Sequence, residues 1–209
     1  MNNDPVVLYH APQTRSSAIV VLLEELGAPY ELHVLNQKKG EHRTPQFLAI
    51  NPLGKVPALK HGDAVLTETV AIMLYLADAF PAAGLAPKIG DPLRGPYLRW
   101  MTMYGAAYEP AVIDRAMKRE PGQRAMSSYG DFDSLFKVIT DQLEKGPYIL
   151  GATFSAADVL WGSGLGWTTM FKLIPEHPAV QAYLARAGQR PALARARQKD
   201  QELVAAQAS

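Results

Sequence analysis

A proline sits inside a segment that otherwise reads as a short strand. Val56-Pro57-Ala58-Leu59-Lys60 is delivered by the turn Asn51-Pro52-Leu53-Gly54-Lys55. Proline has no backbone donor, so a strand that contains one belongs at a sheet edge, a bulge or a bend. X-Pro bonds are the ones that adopt cis. A cis Val56–Pro57 bond is the expectation here, because it would turn the N–H and C=O of Val56 outward together. Such a donor–acceptor pair can take an extended peptide as an added strand. Thr67-Glu68-Thr69 follows closely and opens a helix with an acid and a hydroxyl. The two segments together predict a pocket for a small zwitterionic peptide. Each also has a purely structural use, Pro57 as an edge-strand residue and Glu68 with Thr69 as a helix cap.

Around these segments the pattern is regular. Val6–Tyr9 is a short apolar run with β-formers, and Tyr9 reads as buried structure. Ile19, Leu22, Leu23 and Leu26 share one helical face behind the N-cap candidates Thr14, Ser16 and Ser17, with Gly27 as C-cap. Tyr30–Val34 alternates like a strand. Asn36–Thr44 is polar loop, Pro45–Ile50 a short helix, and Val56–Lys60 with Ala64–Leu66 a hairpin about His61-Gly62-Asp63. Val70, Met73, Leu74 and Ala77 form a further helical stripe that Pro81 ends. Ala82–Asp91 is rich in Ala, Gly and Pro and reads as a linker. Beyond it lie helical segments near 92–118, 129–145, 155–173 and 178–188, and an alanine-rich tail after Arg195 that reads as a frayed helix. The expected fold class is therefore α/β plus all-α, with a small mixed domain at 1–82 and an all-helical domain at 91–209.

Composition sets the exclusions. Of 209 residues, 48% are hydrophobic and 20% charged, with a net charge of +1, so no global field draws the chain to nucleic acid or an anionic membrane. There is no cysteine, which excludes disulfides, thiolate metal sites and a cysteine nucleophile. Met1–Pro5 lacks the basic-then-apolar pattern of a secretory signal. No apolar run approaches the roughly 18 residues that span a bilayer. A cytoplasmic protein with no metal and neither nucleic-acid nor membrane partners is expected.

Asn51–Leu59 together with Thr67-Glu68-Thr69-Val70-Ala71-Ile72 resembles the NPxGKVPxL and ESxAI patterns of the cytosolic glutathione S-transferase superfamily, and Ser155-Ala156-Ala157-Asp158 is similar to its S-x-A-D helix start. Three motifs in this order, spread over nearly the whole chain, are specific to that fold. The resemblance, bacterial and theta/beta-like in flavour, implies an N-terminal thioredoxin-like domain followed by a C-terminal helical bundle, a detoxifying transferase, and a homodimer. It implies no resident cofactor, glutathione being a co-substrate. Glutathione carries two carboxylates, an ammonium and a thiol. The resemblance gives Glu68 the ammonium, Thr69 the adjacent carboxylate, and the main chain at Val56 and Pro57 the cysteinyl residue. Lys55, His42 and Lys39 fall where the glycine end binds, and Gly40-Glu41-His42 is similar to a G-Q-H loop of theta-type members. Lys38, Lys39, His42 and Arg43 read equally as a solvated loop. Ser155 and Asp158 read as a capping arrangement, with Phe154 packing before the helix.

Activating the thiol calls for a hydroxyl close after the first strand. Tyr9-His10-Ala11-Pro12-Gln13-Thr14-Arg15-Ser16-Ser17 places Arg15 where beta-type members have cysteine, so disulfide exchange with the protein is impossible. Ser16 and Thr14 are the candidate hydroxyls, Ser16 the favoured one. Arg15 either adds positive potential near the sulfur or lies on the surface. The second substrate is expected to be a hydrophobic electrophile. Its site is assigned to the helical domain, with Tyr104, Tyr108 and Ala11 as pocket residues. Tyr97, Trp100, Met101, Tyr104 and Tyr108 recur at helical spacing and serve equally as core. Gly162, Gly164 and Gly166 predict close packing of another helix, since each glycine costs a helix about 1 kcal/mol. The alternative function is a glutathione-binding carrier or dimeric interaction module with little conjugating activity.

Overall fold

The computed structural model describes residues 4–119 and 122–208 and resolves them into two compact units. The first comprises the chain up to Ala83 together with Arg190 onward. Four strands, β1 (Val6–His10), β2 (Tyr30–Val34), β3 (Ala58–His61) and β4 (Ala64–Thr67), form one mixed sheet in the order β2-β1-β3-β4. β1 runs parallel to β2 and antiparallel to β3, and β3 antiparallel to β4. Val6, Leu8 and His10 point into the interior and alternate with half-buried Val7 and Tyr9, as a strand's two-residue period requires.

Pro57 lies just before β3 rather than inside it. The sequence expectation of a strand from Val56 is corrected by two residues, and the missing proline donor therefore costs the ladder nothing. The Val56–Pro57 bond is cis, as expected. Helix α1 (Ser16–Leu26) ends where predicted: Gly27 takes φ 61° and donates its N–H to Leu23 O. Thr44 caps the short α2 (Pro45–Leu48), and α3 (Thr69–Ala79) follows β4.

The second unit spans 84–189 and holds five further helices among its described residues. They are α4 (Arg94–Met103), α5 (Glu109–Ala116), α6 (Phe132–Glu144), α7 (Ala156–Met170) and α8 (Pro178–Gly188). The single helix expected near 92–118 is divided by a π-helical turn at Tyr104–Tyr108. Asp158 at the start of α7 accepts from Ser155 N–H (2.9 Å), Ile149 N–H (2.7 Å) and the Tyr183 hydroxyl (3.0 Å), a buried structural role as anticipated. Gly164 is where a Cβ would come within 2.4 Å of the Tyr104 ring, which explains a glycine in mid-helix.

The tail after Arg195 forms part of a long helix, α9 (Pro191–Ala208), that packs on α1. The sequence reading gives 91–209 to the helical domain, whereas the chain from Arg190 onward groups with the sheet. The reason is electrostatic as well as apolar. Arg190 pairs with Glu25, Arg195 and Lys199 pair with Glu24, and Ala192 and Ala196 are buried.

Candidate functional site

The ladder registers bring the sequence motifs to one end of the sheet. Tyr9 lies opposite Ala58, and Ala58 opposite Thr67. The segment leaving β1, the one entering β3 and the one leaving β4 therefore meet at the same edge of the structure. Val34 pairs with His10, so the loop after β2 emerges there too. Ala11, Leu35, Phe47, Val56 and Ala58 form one buried apolar cluster beneath this end, with Tyr9 and Ile50 packed against it. Tyr9 is half-buried, its ring 4.9 Å from His33 and 5.7 Å from Phe47.

Two more segments are locked together ahead of Val56 in that cluster. Asn51 Nδ2 donates to Lys55 O at 2.8 Å, closing the turn before Val56. Gly54 adopts φ 60°, and a Cβ there would lie 2.8 Å from both His42 O and Arg43 Nη1. Only glycine lets the turn approach the 41–43 segment so closely. The contact places Lys55 and His42 on adjoining strands of chain. Lys55 and Lys39 are exposed, and His42 is half-buried with its Nδ1 enclosed and without a hydrogen-bond partner.

Glu68 stands at the N-cap position of α3 with φ 68° and ψ 116° and makes no side-chain capping bond. Capping therefore does not account for this residue. Left-handed backbone at a non-glycine residue costs on the order of 1–3 kcal/mol and concentrates at ligand sites. Glu68 is exposed, and Thr69 is half-buried at the first turn of α3.

The two candidate hydroxyls separate clearly. Ser16 is fully buried, its Oγ 2.8 Å from His10 Nδ1, 2.8 Å from Thr14 Oγ1, 3.1 Å from Ala11 O and 3.2 Å from the Ala11 N–H that it accepts. Thr14 is half-buried, and its hydroxyl donates to Ala11 O at 2.7 Å. Thr14 is thus the hydroxyl with access to solvent, and Ser16 lies behind it. Arg15 is exposed at the α1 N-cap.

Sequence reasoning missed two residues of this cluster. His10 is fully buried, with Nε2 3.1 Å from Asp200 Oδ1, an ion-pair distance without in-line hydrogen-bond geometry. Asp200 Oδ2 accepts from Gln13 N–H at 2.9 Å and from the Ser17 hydroxyl at 2.5 Å. Burial pushes the Asp200 carboxyl up, but its contacts with His10, Ser17 and Gln13 outweigh this and hold it below the ordinary range. His10 was detectable as the third inward position of β1. Asp200, 190 residues away, carried no local signal.

The residues expected to line an electrophile pocket are packed inside the protein. Ala11 belongs to the apolar cluster. Tyr104 and Tyr108 are buried in the helical unit, their ring centroids 5.3 and 5.1 Å from Trp161. Tyr108 Oη is 2.6 Å from Thr168 Oγ1, and burial pushes this phenol well up. A separate cleft of about 500 Å³ in the same unit is lined by Leu93, Arg99, Trp100, Gln142, Ile149 and Gly151, and contains none of the anticipated site residues.

Known proteins resemble this chain in sequence and in fold. Residues 4–78 match the family model described as glutathione S-transferase, N-terminal domain. A probable glutathione S-transferase of Oryza sativa subsp. japonica is 31% identical over 186 residues, covering 82% of this chain and 86% of that protein. The crystal structure of a glutathione transferase from Methylococcus capsulatus superposes with a TM-score of 0.79 at 30% identity, over 93% of this chain and 98% of that one. A glutathione transferase homologue from Sulfitobacter, solved with bound glutathione, gives a TM-score of 0.73 at 27% identity over the same shares. A mixed four-stranded sheet ending in these three loops, matched along most of its length by such relatives, shows that the chain belongs to the glutathione S-transferase family.

Proposed function

We propose that the end of the sheet binds glutathione and activates its thiol for attack on a hydrophobic electrophile. The observation that carries this reading is the convergence of the Ala11–Ser17 turn, Val56–Pro57 and Glu68–Thr69, fixed by the Tyr9–Ala58 and Ala58–Thr67 registers. Glu68 meets the ammonium of the γ-glutamyl group. Thr69 and the first turn of α3 receive its carboxylate, a helix N-terminus favouring an anion by about 0.3–1 kcal/mol. The Val56 main chain pairs with the cysteinyl residue, and Lys55, His42 and Lys39 serve the glycine carboxylate.

A free thiol titrates near 8.5, so only a few per cent is thiolate at neutral pH. Lowering that value by about two units takes roughly 2.7 kcal/mol of preferential thiolate stabilisation. On binding, Thr14, the accessible hydroxyl, turns its proton from Ala11 O to the sulfur, and the N-terminus of α1 with the exposed Arg15 adds positive potential. Ser16 holds Thr14 in place. The thiolate then donates an electron pair to the electrophile and forms a sulfur–carbon bond, as a leaving group departs with its own bonding pair or the π pair of an activated double bond moves onto the neighbouring atom and takes up a proton. The helical unit contributes the electrophile site, the functional form is a homodimer, and the protein acts in the cytoplasm. No described helix is long and apolar enough to cross a membrane.

Calorimetry with glutathione and its S-methyl analogue, followed by ultraviolet difference spectra of the bound thiol, tests the reading. Both ligands should bind, and glutathione should show thiolate absorbance at neutral pH. Binding without thiolate would favour a carrier, and no binding would overturn the site.

A further inference from the structure

A line of neighbouring polar side chains runs from the terminal helix to the accessible hydroxyl. Asp200 Oδ1 faces His10 Nε2 at 3.1 Å, His10 Nδ1 lies 2.8 Å from Ser16 Oγ, and Ser16 Oγ lies 2.8 Å from Thr14 Oγ1. The other oxygen of Asp200 takes the Gln13 N–H and the Ser17 hydroxyl, the residues on either side of Thr14 and Ser16. Gln13 has φ 59°, a left-handed conformation that a non-glycine residue keeps only when its surroundings hold it. The Asp200 carboxylate is the group that holds it, by accepting its N–H. Asp200, His10, Ser16 and Thr14 are buried or half-buried, and α9 is also held to α1 by the pairs of Arg190 with Glu25 and of Arg195 and Lys199 with Glu24.

We propose that Asp200 is a positioning residue for thiol activation: from the terminal helix it clamps the Gln13 turn and orients His10 and Ser16, and so aims the Thr14 hydroxyl at the sulfur. The inference rests on the glutathione reading of the site. It makes the last helix a working part of the thiol site, although the sequence places it at the far end of the chain. Ser16 Oγ lies within 3.2 Å of His10 Nδ1, Thr14 Oγ1, Ala11 O and the Ala11 N–H. Ser16 is thereby fixed in one rotamer, and Thr14 rests against it. Misplacing a reacting group by about 1 Å can cost on the order of a hundred-fold in rate, so a clamp of this kind has catalytic consequence without touching substrate.

The test is the ultraviolet titration of bound glutathione in the full-length protein carrying Asp200→Ala, Asp200→Asn or Ser17→Ala. Asp200→Ala should lower the thiolate fraction at neutral pH about ten-fold, while affinity for the S-methyl analogue by calorimetry stays within about two-fold, since no glutathione-binding group is removed. Asn retains an acceptor for Gln13 and Ser17, so Asp200→Asn should recover most of the lost thiolate. Ser17→Ala, which removes one of the two donors to Oδ2, should give a smaller loss than Asp200→Ala. A purely structural role would lower stability and affinity together and leave the bound thiol's titration where it was. An unchanged thiolate fraction in Asp200→Ala, or no recovery in Asp200→Asn, overturns the inference while leaving the glutathione site intact. Failure of the unsubstituted protein to bind glutathione overturns both.

Discussion

Thr14 Oγ1 lies 2.8 Å from Ser16 Oγ, yet only Thr14 has access to solvent. The two hydroxyls should respond differently to removal. A hydrogen bond to a charged acceptor is worth about 1.5–3 kcal/mol, or roughly one to two units on the thiol. Thr14→Ala should raise the titration of bound glutathione by that amount, and Thr14→Ser should preserve most of the native value. Ser16→Ala should instead destabilise the protein by about 1–3 kcal/mol, because buried His10 and the Ala11 N–H lose their partner. Urea unfolding and ultraviolet titration of the three variants separate the roles. A larger thiol shift in Ser16→Ala than in Thr14→Ala would restore Ser16 as the activating group.

Glu68 pairs strained backbone with an uncommitted carboxylate. Glu68→Ala should weaken glutathione binding by about 1.5–3 kcal/mol, roughly ten- to a hundred-fold in Kd. Glu68→Gly should weaken it as much while raising stability by up to about 1 kcal/mol, since glycine accepts the left-handed conformation freely. Calorimetry and thermal unfolding measure the two effects. Full affinity in both variants would remove Glu68 from the site.

Gly54 holds the 51–55 turn against His42 and Arg43. Gly54→Ala combines a positive φ with a 2.8 Å approach to a backbone oxygen, which cannot swing aside as a side chain can. A loss of about 1–3 kcal/mol is expected from the backbone conformation alone. Because Lys55 and His42 sit on the two segments that would be pushed apart, glutathione affinity should fall with stability. An unaltered melting temperature would show that the turn can relax.

The docking of α9 should weaken in acid. Burial pushes the Glu24 carboxyl up, but hydrogen bonds from Arg195, Lys199 and Tyr30 prevail and hold it at about 2, against an ordinary 4.5. A depressed folded value means that the stabilisation is present above the unfolded value and is lost as the pH falls through the folded one. The stability difference between the native protein and Glu24→Gln should therefore be full above about pH 5 and shrink towards pH 2, as followed by urea midpoints. Arg195 and Lys199 are half exposed, so added salt should reduce the difference. A difference independent of pH would mean that Glu24 acts through packing rather than charge.

Local pattern was enough to name most of the residues of the proposed site. The period of two in β1, the Gly27 cap, the turn into Val56–Pro57 and the Glu68–Thr69 helix start are all short-range features, set by which residues tolerate which backbone conformations. They could be read, and with the resemblance they carried the fold class and the segments proposed to face glutathione. The break in the helix at Tyr104–Tyr108 and the two-residue delay of β3 were not legible, since residues in contact from other elements decide such boundaries.

What the sequence determined by itself is the set of parts: a strand–helix–strand unit, a hairpin introduced by proline, a helical second half, and a chain with no thiol of its own. Tertiary structure alone decided which hydroxyl faces outward. Ser16 and Thr14 are two residues apart and chemically alike, and burial against His10 removes one of them from solvent. Tertiary structure alone also brought Asp200 from the tail to the Gln13 turn, across 187 positions. Side-chain type and spacing act over one or two turns of chain, whereas burial and long-range polar contacts depend on how α9 lies against α1, which no local pattern records.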